Sequence, residues 1–348
     1  MNTKNLQSDI SLYRSGIMGL SIISVMLFHQ YFLHNPILNL FHNYGYWGVD
    51  VFLFLSGMGM VRSLETHSLL GFYKRRFRRI VPACCLCGSI KYIVYILMGS
   101  SVLILKDGLH LGWRSAMSLD LWYINTILLY YLFSPFLYKA LSYHPRTTLS
   151  CVFFAYFMSG LTIREQVGFD WTTFVGILAW SLERLPVFTL GMFFALHDRT
   201  VSGKTMFISS FSLITAILVI IGRKYVWGNF SGQSVIVPFA LTLGMLALLE
   251  INIQLLKRTP SFIRKRINHL GTLSLEIYIV HEFVFSVMMV RYHLLPYVQF
   301  FISLSLSLFI AYLCREIITE FDERELKTRF LNYAKYTIST RLNNIRKR

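Results

Sequence analysis

His29, Asp50, Glu183, Arg184, Glu250, Glu276, His281 and Glu282 all stand within long apolar runs of this chain. A titratable side chain is costly in hydrocarbon, so such residues face a bundle interior or a wet cavity, and each is a candidate for chemistry. His29 closes the apolar stretch IMGLSIISVMLFH, and an imidazole there can take a proton from a hydroxyl near neutral pH. Asp50, across a short connection in GYWGVDVFLFLSG, is the carboxylate expected to hold the ring and raise its basicity. A lone histidine on a helix reads equally as a hydrogen-bonded structural residue, and type and position alone leave that open.

A second cluster is FYKRRFRRIVP, residues 72–82, where Lys74, Arg75, Arg76, Arg78 and Arg79 crowd one membrane boundary. On a helix Arg76 and Arg79 share a face, so two guanidinium forks can grip one phosphate; the competing role is a snorkelling anchor in the lipid headgroups. Ser274, Tyr278 and His281 recur at i, i+4 and i+7, a polar stripe that suits either an acceptor cavity or interhelical hydrogen bonding, and Glu276 is off that stripe. Arg184 is expected to pair with Glu183 or another intramembrane carboxylate. Cys84 and Cys87 form a C-x-x-C without a second ligand pair, so no metal is expected, and Cys85, Cys151 and Cys314 complete a set with no disulfide framework. Trp47, Trp122 and Tyr123 fall near span ends, where aromatic belts form.

The elements that carry these groups follow from composition. Of 348 residues 55% are hydrophobic and 15% charged, with a mean hydropathy of +0.52, which excludes a disordered chain and requires lipid contact. Spans of roughly 17 to 25 apolar residues are read at 15–34, 46–65, 80–104, 119–138, 148–163, 173–196, 205–222, 234–254, 271–290 and 297–317. The expected class is therefore an all-α polytopic bundle of about ten transmembrane helices. With both termini in the cytoplasm, most of the 34 Lys and Arg fall inside, and only Lys106, Arg114, Arg164, Arg223, Lys224 and Arg291 fall outside. The net charge of +17 is thus assigned to orientation and anionic lipid, not to nucleic acid. The opening MNTKNLQSDISLYRSG lacks the regions of a cleaved signal, so the first apolar run is expected to stay as an anchor. Residues 1–320 read as one transmembrane domain and 321–348 as a basic amphipathic tail on the inner leaflet.

Six ordered blocks resemble the acyltransferase-3 family of bacterial membrane acyltransferases. IMGLSIISVMLFH is similar to the family's first-helix motif ending in His, GYWGVDVFLFLSG to its G-V-D-x-F-F-x-L-S-G block, and FYKRRFRRIVP to its F-Y-x-R-R-x-x-R-I-x-P block. LWYINTILLYYLFSP, RLPVFTLGMFFA and LGTLSLEIYIVHEFVF resemble later segments, so the likeness runs through most of the chain. The resemblance implies ten spanning helices in the bacterial inner membrane. It also implies transfer of an acyl group, commonly acetyl, from cytoplasmic acetyl-coenzyme A to a hydroxyl of a cell-envelope glycan or its lipid-linked precursor. Acyl-coenzyme A is then a co-substrate, with no permanently bound cofactor. By position His29 takes the family's catalytic histidine, and Arg76 with Arg79 its R-x-x-R pair for coenzyme A phosphate. A non-enzymatic polysaccharide transporter or flippase is the rival reading.

Two departures accompany the likeness. The family's Arg eleven positions before the His is here Met18; Arg14 stands one turn earlier, about 6 Å further along and rotated by about 40°, and can serve the same face. The paired glutamates of helix four in some relatives are replaced by the stretch Asn125 to Leu129, which points to a different subgroup.

Overall fold

The computed structural model describes residues 6–30, 35, 38, 41–42, 44–97, 117–119, 121–160, 174–197, 201–222, 233–291 and 295–346, with side chains only as far as Phe321 in the last stretch. The expected outside cations Lys106, Arg114, Arg164, Arg223 and Lys224 lie beyond the described residues. Those described are helical apart from short turns: α1 Leu6–Leu12, α2 Arg14–Phe28, α3 Trp47–Thr66, α4 Leu69–Leu97, α5 Trp122–Tyr143, α6 Pro145–Met158, α7 Phe174–His197, α8 Gly203–Gly222, α9 Gln233–Leu243, α10 Met245–Arg258, α11 Ser261–Thr272, α12 Ser274–Arg291 and α13 Pro296–Arg346.

α3, α7, α8 and the Pro296–Phe321 part of α13 are long and apolar enough to cross a membrane; the pairs α1–α2, α9–α10 and α11–α12 also qualify if each counts as one bent span. This makes a multi-pass membrane protein with four to seven crossings by length and composition. Each of the ten expected stretches overlaps a helix or a bent pair, but α6 has only 14 residues and α4 opens on its five cations.

The pairs are bent by 72°, 60° and 79°, which apolar runs alone do not reveal. The first expected span stops at Phe28, where the His29 and Gln30 amides turn back to the carbonyls of Met26 and Leu27 and tighten the last turn. The eighth is broken at Gly244, whose α-carbon abuts the Leu213 backbone of α8 and leaves no room for a side chain. α11, carrying Arg264, Lys265 and Arg266, crosses α2 at close range, because Gly19 faces the Ile267 carbonyl and Gly271 faces that of Ser15. α13 continues past Phe321 to Arg346 without a break, so the basic tail extends the last span as one helix of 51 residues.

α3 lies between α2 and α7 and packs almost backbone to backbone on both. Gly48 meets the Ser21 carbonyl of α2, while Gly57 and Gly191 of α7 face the carbonyls of Phe188 and Phe54. Without a hydrophobic driving force between helices in lipid, such small-residue contacts hold the bundle through dispersion. α12 is enclosed by α2, α4 and α13, and Ile277, Ile279, Val280 and Phe285 are buried on several of its sides.

Candidate active site

The functional side chains gather at two ends of the bundle. At the end of α2 the helix unwinds after Phe28, whose carbonyl is engaged by Nδ1 of His42 at 2.9 Å. The next residue, His29, projects into ring contact with His281 of α12, at 4.8 Å between centroids and 78° between planes. Nδ1 of His281 faces the carbonyls of Tyr278 and Ile277 at 2.8 and 3.1 Å. A carbonyl only accepts, so Nδ1 carries the proton and Nε2 presents its lone pair. That Nε2 is buried without a hydrogen-bond partner.

Asp50 does not hold His29. Gly48 fixes the α3 register against Ser21 of α2, and Asp50 stands about 3 Å deeper while His29 stands about 12 Å further out, an axial separation of about 15 Å. The carboxylate of Asp50 faces Arg184 at 3.4 Å, and Arg184 also meets Glu183 at 3.8 Å. The expected intramembrane pairing of Arg184 is thus met by both carboxylates, and the guanidinium is covered by the rings of Tyr46 at 5.2 Å and Trp122 at 6.0 Å. Elsewhere, Glu250 accepts from Gln254 of its own helix at 2.8 Å.

The other end is cationic. Arg14 donates to the Leu55 carbonyl at 3.0 Å and Arg76 to the Gly59 carbonyl at 2.6 Å, so both forks reach carbonyls one turn apart on α3. They converge at Gly59: a β-carbon there would lie 3.6 Å from Nη2 of Arg14 and 3.9 Å from Nη2 of Arg76. Neither has a carboxylate partner among the described residues, and Nε of Arg76 is buried with no acceptor. Phe72 and Tyr131 flank the Arg76 guanidinium at 5.7 and 6.0 Å. Two adjacent, uncompensated guanidinium groups are an anion site in waiting.

Arg79 does not join them. It makes a bidentate pair with Glu276 at 2.5 and 3.2 Å, and Arg315 reaches the same carboxylate at 3.4 Å. Glu276 is fully buried in the first turn of α12, where the helix dipole also favours a negative charge. The triad ties α4, α12 and α13 together, so Arg76 and Arg79 are divided between the cluster at Gly59 and a clamp between helices. Arg315, counted by sequence only as an orientation charge, was the missed partner. Glu276→Ala should lower stability by about 2 kcal/mol, discounted from a fully buried pair because both arginines reach solvent, and Glu276→Gln by less. Thermal denaturation in detergent measures the difference.

A circuit of rings joins the two histidines to Arg184. His281 lies 5.6 Å from Tyr278, which lies 4.9 Å from Tyr123; Tyr123 is 6.3 Å from Trp122. From Trp122 the contacts return through Arg184, Tyr46 and Phe28 to His29. Tyr123 is therefore an interior residue and Trp122 packs tilted against Trp180 at 5.2 Å, so neither is a simple belt anchor. Ser274, Tyr278 and His281 are all buried on α12; Tyr278 and His281 join the ring circuit, while Ser274 sits at the bend beside Glu276's end of the helix. Among the described residues no group of three or more His, Cys, Asp or Glu can hold a metal ion.

A family model described as an acyltransferase domain matches residues 16–316. The chain belongs to the acyltransferase-3 family, and it is a membrane acyltransferase. No curated protein and no solved structure matches it. The match takes in His29, Arg76, Arg79 and His281 and begins two residues after Arg14.

Proposed function

We propose that the protein is a ten-span inner-membrane O-acyltransferase with both termini in the cytoplasm, moving an acetyl group from cytoplasmic acetyl-coenzyme A to a hydroxyl of a cell-envelope glycan or its lipid-linked precursor. The observation that carries this reading is the uncompensated pair Arg14 and Arg76, about 22 Å along α2 from His29. Phosphates of the donor nucleotide bind the two guanidinium groups at the cytoplasmic edge. The extended pantetheine arm then brings the thioester inward past Tyr123 and Tyr278.

At the far end His29 removes the proton of the acceptor hydroxyl as its oxygen attacks the thioester carbonyl. The tetrahedral intermediate collapses with loss of the coenzyme A thiolate, which takes the proton. In place of Asp50, His281 is the group placed to orient the base: its unpaired Nε2 lies beside the His29 ring, where a small rotation during the reaction lets it accept the N–H of His29 and leaves the other nitrogen of His29 free to act. Asp50, Glu183 and Arg184 instead brace α3 on α7.

The donor site is tested by calorimetric titration of the purified protein with coenzyme A. Saturable binding is expected, and Arg76→Ala should weaken it roughly ten- to hundredfold, the equivalent of one charge-assisted phosphate contact of about 1.5 to 3 kcal/mol. A transporter of finished polysaccharide has no use for a nucleotide phosphate, so absence of saturable binding would favour the flippase reading.

A further inference from the structure

One face of α13 carries polar groups that the site described above does not use. Gln299, Ser303 and Ser307 recur at every fourth residue and are 7%, 0% and 0% exposed. Nε2 of Gln299 and the hydroxyls of Ser303 and Ser307 have no hydrogen-bond partner. A serine in a helix usually has a carbonyl four residues back to bond, and the exposed Ser305 uses it, donating to Phe301 at 2.8 Å. Ser303 and Ser307 do not. The same face continues as Ala311, Cys314 and Ile318, which are buried and apolar, with the Cys314 thiol against Cys87 of α4. One half of the stripe is therefore dry and the other half polar.

The polar half runs beside His281. α12 and α13 are antiparallel neighbours in register through Phe285 and Phe300, whose centroids are 5.9 Å apart. Four residues back from Phe285 is His281, and four on from Phe300 is Leu304, so Ser303 and Ser307 bracket the level of the orphan Nε2 of His281. Lys91 of α4, 2% exposed, lies one turn beyond Cys87 toward that level. Orphan polar atoms at membrane depth are tolerated where they line a wet path. The spacing fits one: successive side chains are about 6 Å apart along the helix, and one oxygen bridging two groups by hydrogen bonds of about 2.8 Å spans about 5.6 Å.

We infer that Gln299, Ser303 and Ser307 form a hydroxyl-binding track along α13 that leads from the Pro296 end of that helix to the level of His281 and His29. Its occupants are O–H groups, supplied by a file of water or, on the O-acyltransferase reading, by the hydroxyls of the incoming acceptor. The test is the accessibility of Ser303→Cys and Ser307→Cys, each in the full chain, to methanethiosulfonate ethylammonium, with site-resolved mass spectrometry as readout. The native Cys314 on the dry half is the internal reference. Both introduced thiols should react several-fold faster than Cys314; rates no faster than that of Cys314 would overturn the track.

Two membrane backgrounds separate the sources. Equal labelling in phosphatidylcholine vesicles and in native membranes identifies water, and slower labelling in native membranes identifies acceptor hydroxyls. If the cysteine variants do not fold, hydroxyl-radical labelling of the unmodified protein serves instead. Phe285, beside the track, should then be oxidised more than Phe188, which is equally buried elsewhere, and equal oxidation would overturn the proposal. Neither measurement depends on donor binding, so failure of the coenzyme A titration and failure of the track are read separately.

Discussion

His29→Ala should lower acyl transfer by about 10²- to 10⁴-fold, the usual contribution of a positioned general base, while saturable coenzyme A binding should stay near that of the parent protein. The separation is expected because Arg14, one of the two proposed donor ligands, lies about 22 Å along α2 from His29, and neither Arg14 nor Arg76 contacts it. His281→Ala should also depress turnover, through loss of the acceptor that fixes the His29 tautomer. His281→Gln, which offers an amide oxygen to the same N–H, should recover part of that loss. A purely structural His281 would show no such recovery. Near-full turnover in His29→Ala, measured as transfer of labelled acetyl groups to membrane glycans, would remove the residue from the mechanism.

Arg14→Ala should weaken coenzyme A binding roughly ten- to hundredfold, because it deletes one of the two guanidinium groups that meet at Gly59. Adding Met18→Arg should restore part of the loss: position 18 is one turn nearer His29 on nearly the same stripe of α2, where its longer side chain can reach back to α3. Arg79→Ala should behave differently, with stability falling because the buried Glu276 loses its bidentate partner and keeps only Arg315. Titration calorimetry on the three variants distinguishes a donor ligand from a clamp. Unchanged affinity in Arg14→Ala, or no recovery in a well-folded double variant, would show that Arg14 does not occupy the family arginine's place.

What the chain's order of residues settles by itself is whatever depends on local chemistry and period. The apolar stretches had to be helices, since an unsatisfied backbone in lipid is prohibitive, and each stretch does fall on a helix or a bent pair. The intramembrane position of Arg184 demanded a carboxylate partner, and the ordered motifs were enough to reveal the family. The bends at Tyr13, Gly244 and Leu273 were not legible in hydropathy; those at Gly244 and Leu273 fall where one helix presses on the backbone of another.

Partner choice was likewise decided in three dimensions. Asp50 is near His29 in sequence, but the antiparallel register of α2 and α3 carries it about 15 Å deeper, onto Arg184 of α7. Arg76 and Arg79 share a helical face, yet Glu276, 197 residues from Arg79, draws that arginine away, and Arg14 comes from another helix to stand beside Arg76. The contact between His29 and His281 joins residues separated by most of the chain. Residue type and helical period state what each group can do, whereas its partner depends on the register of helices that meet through small residues, a property of the packed bundle.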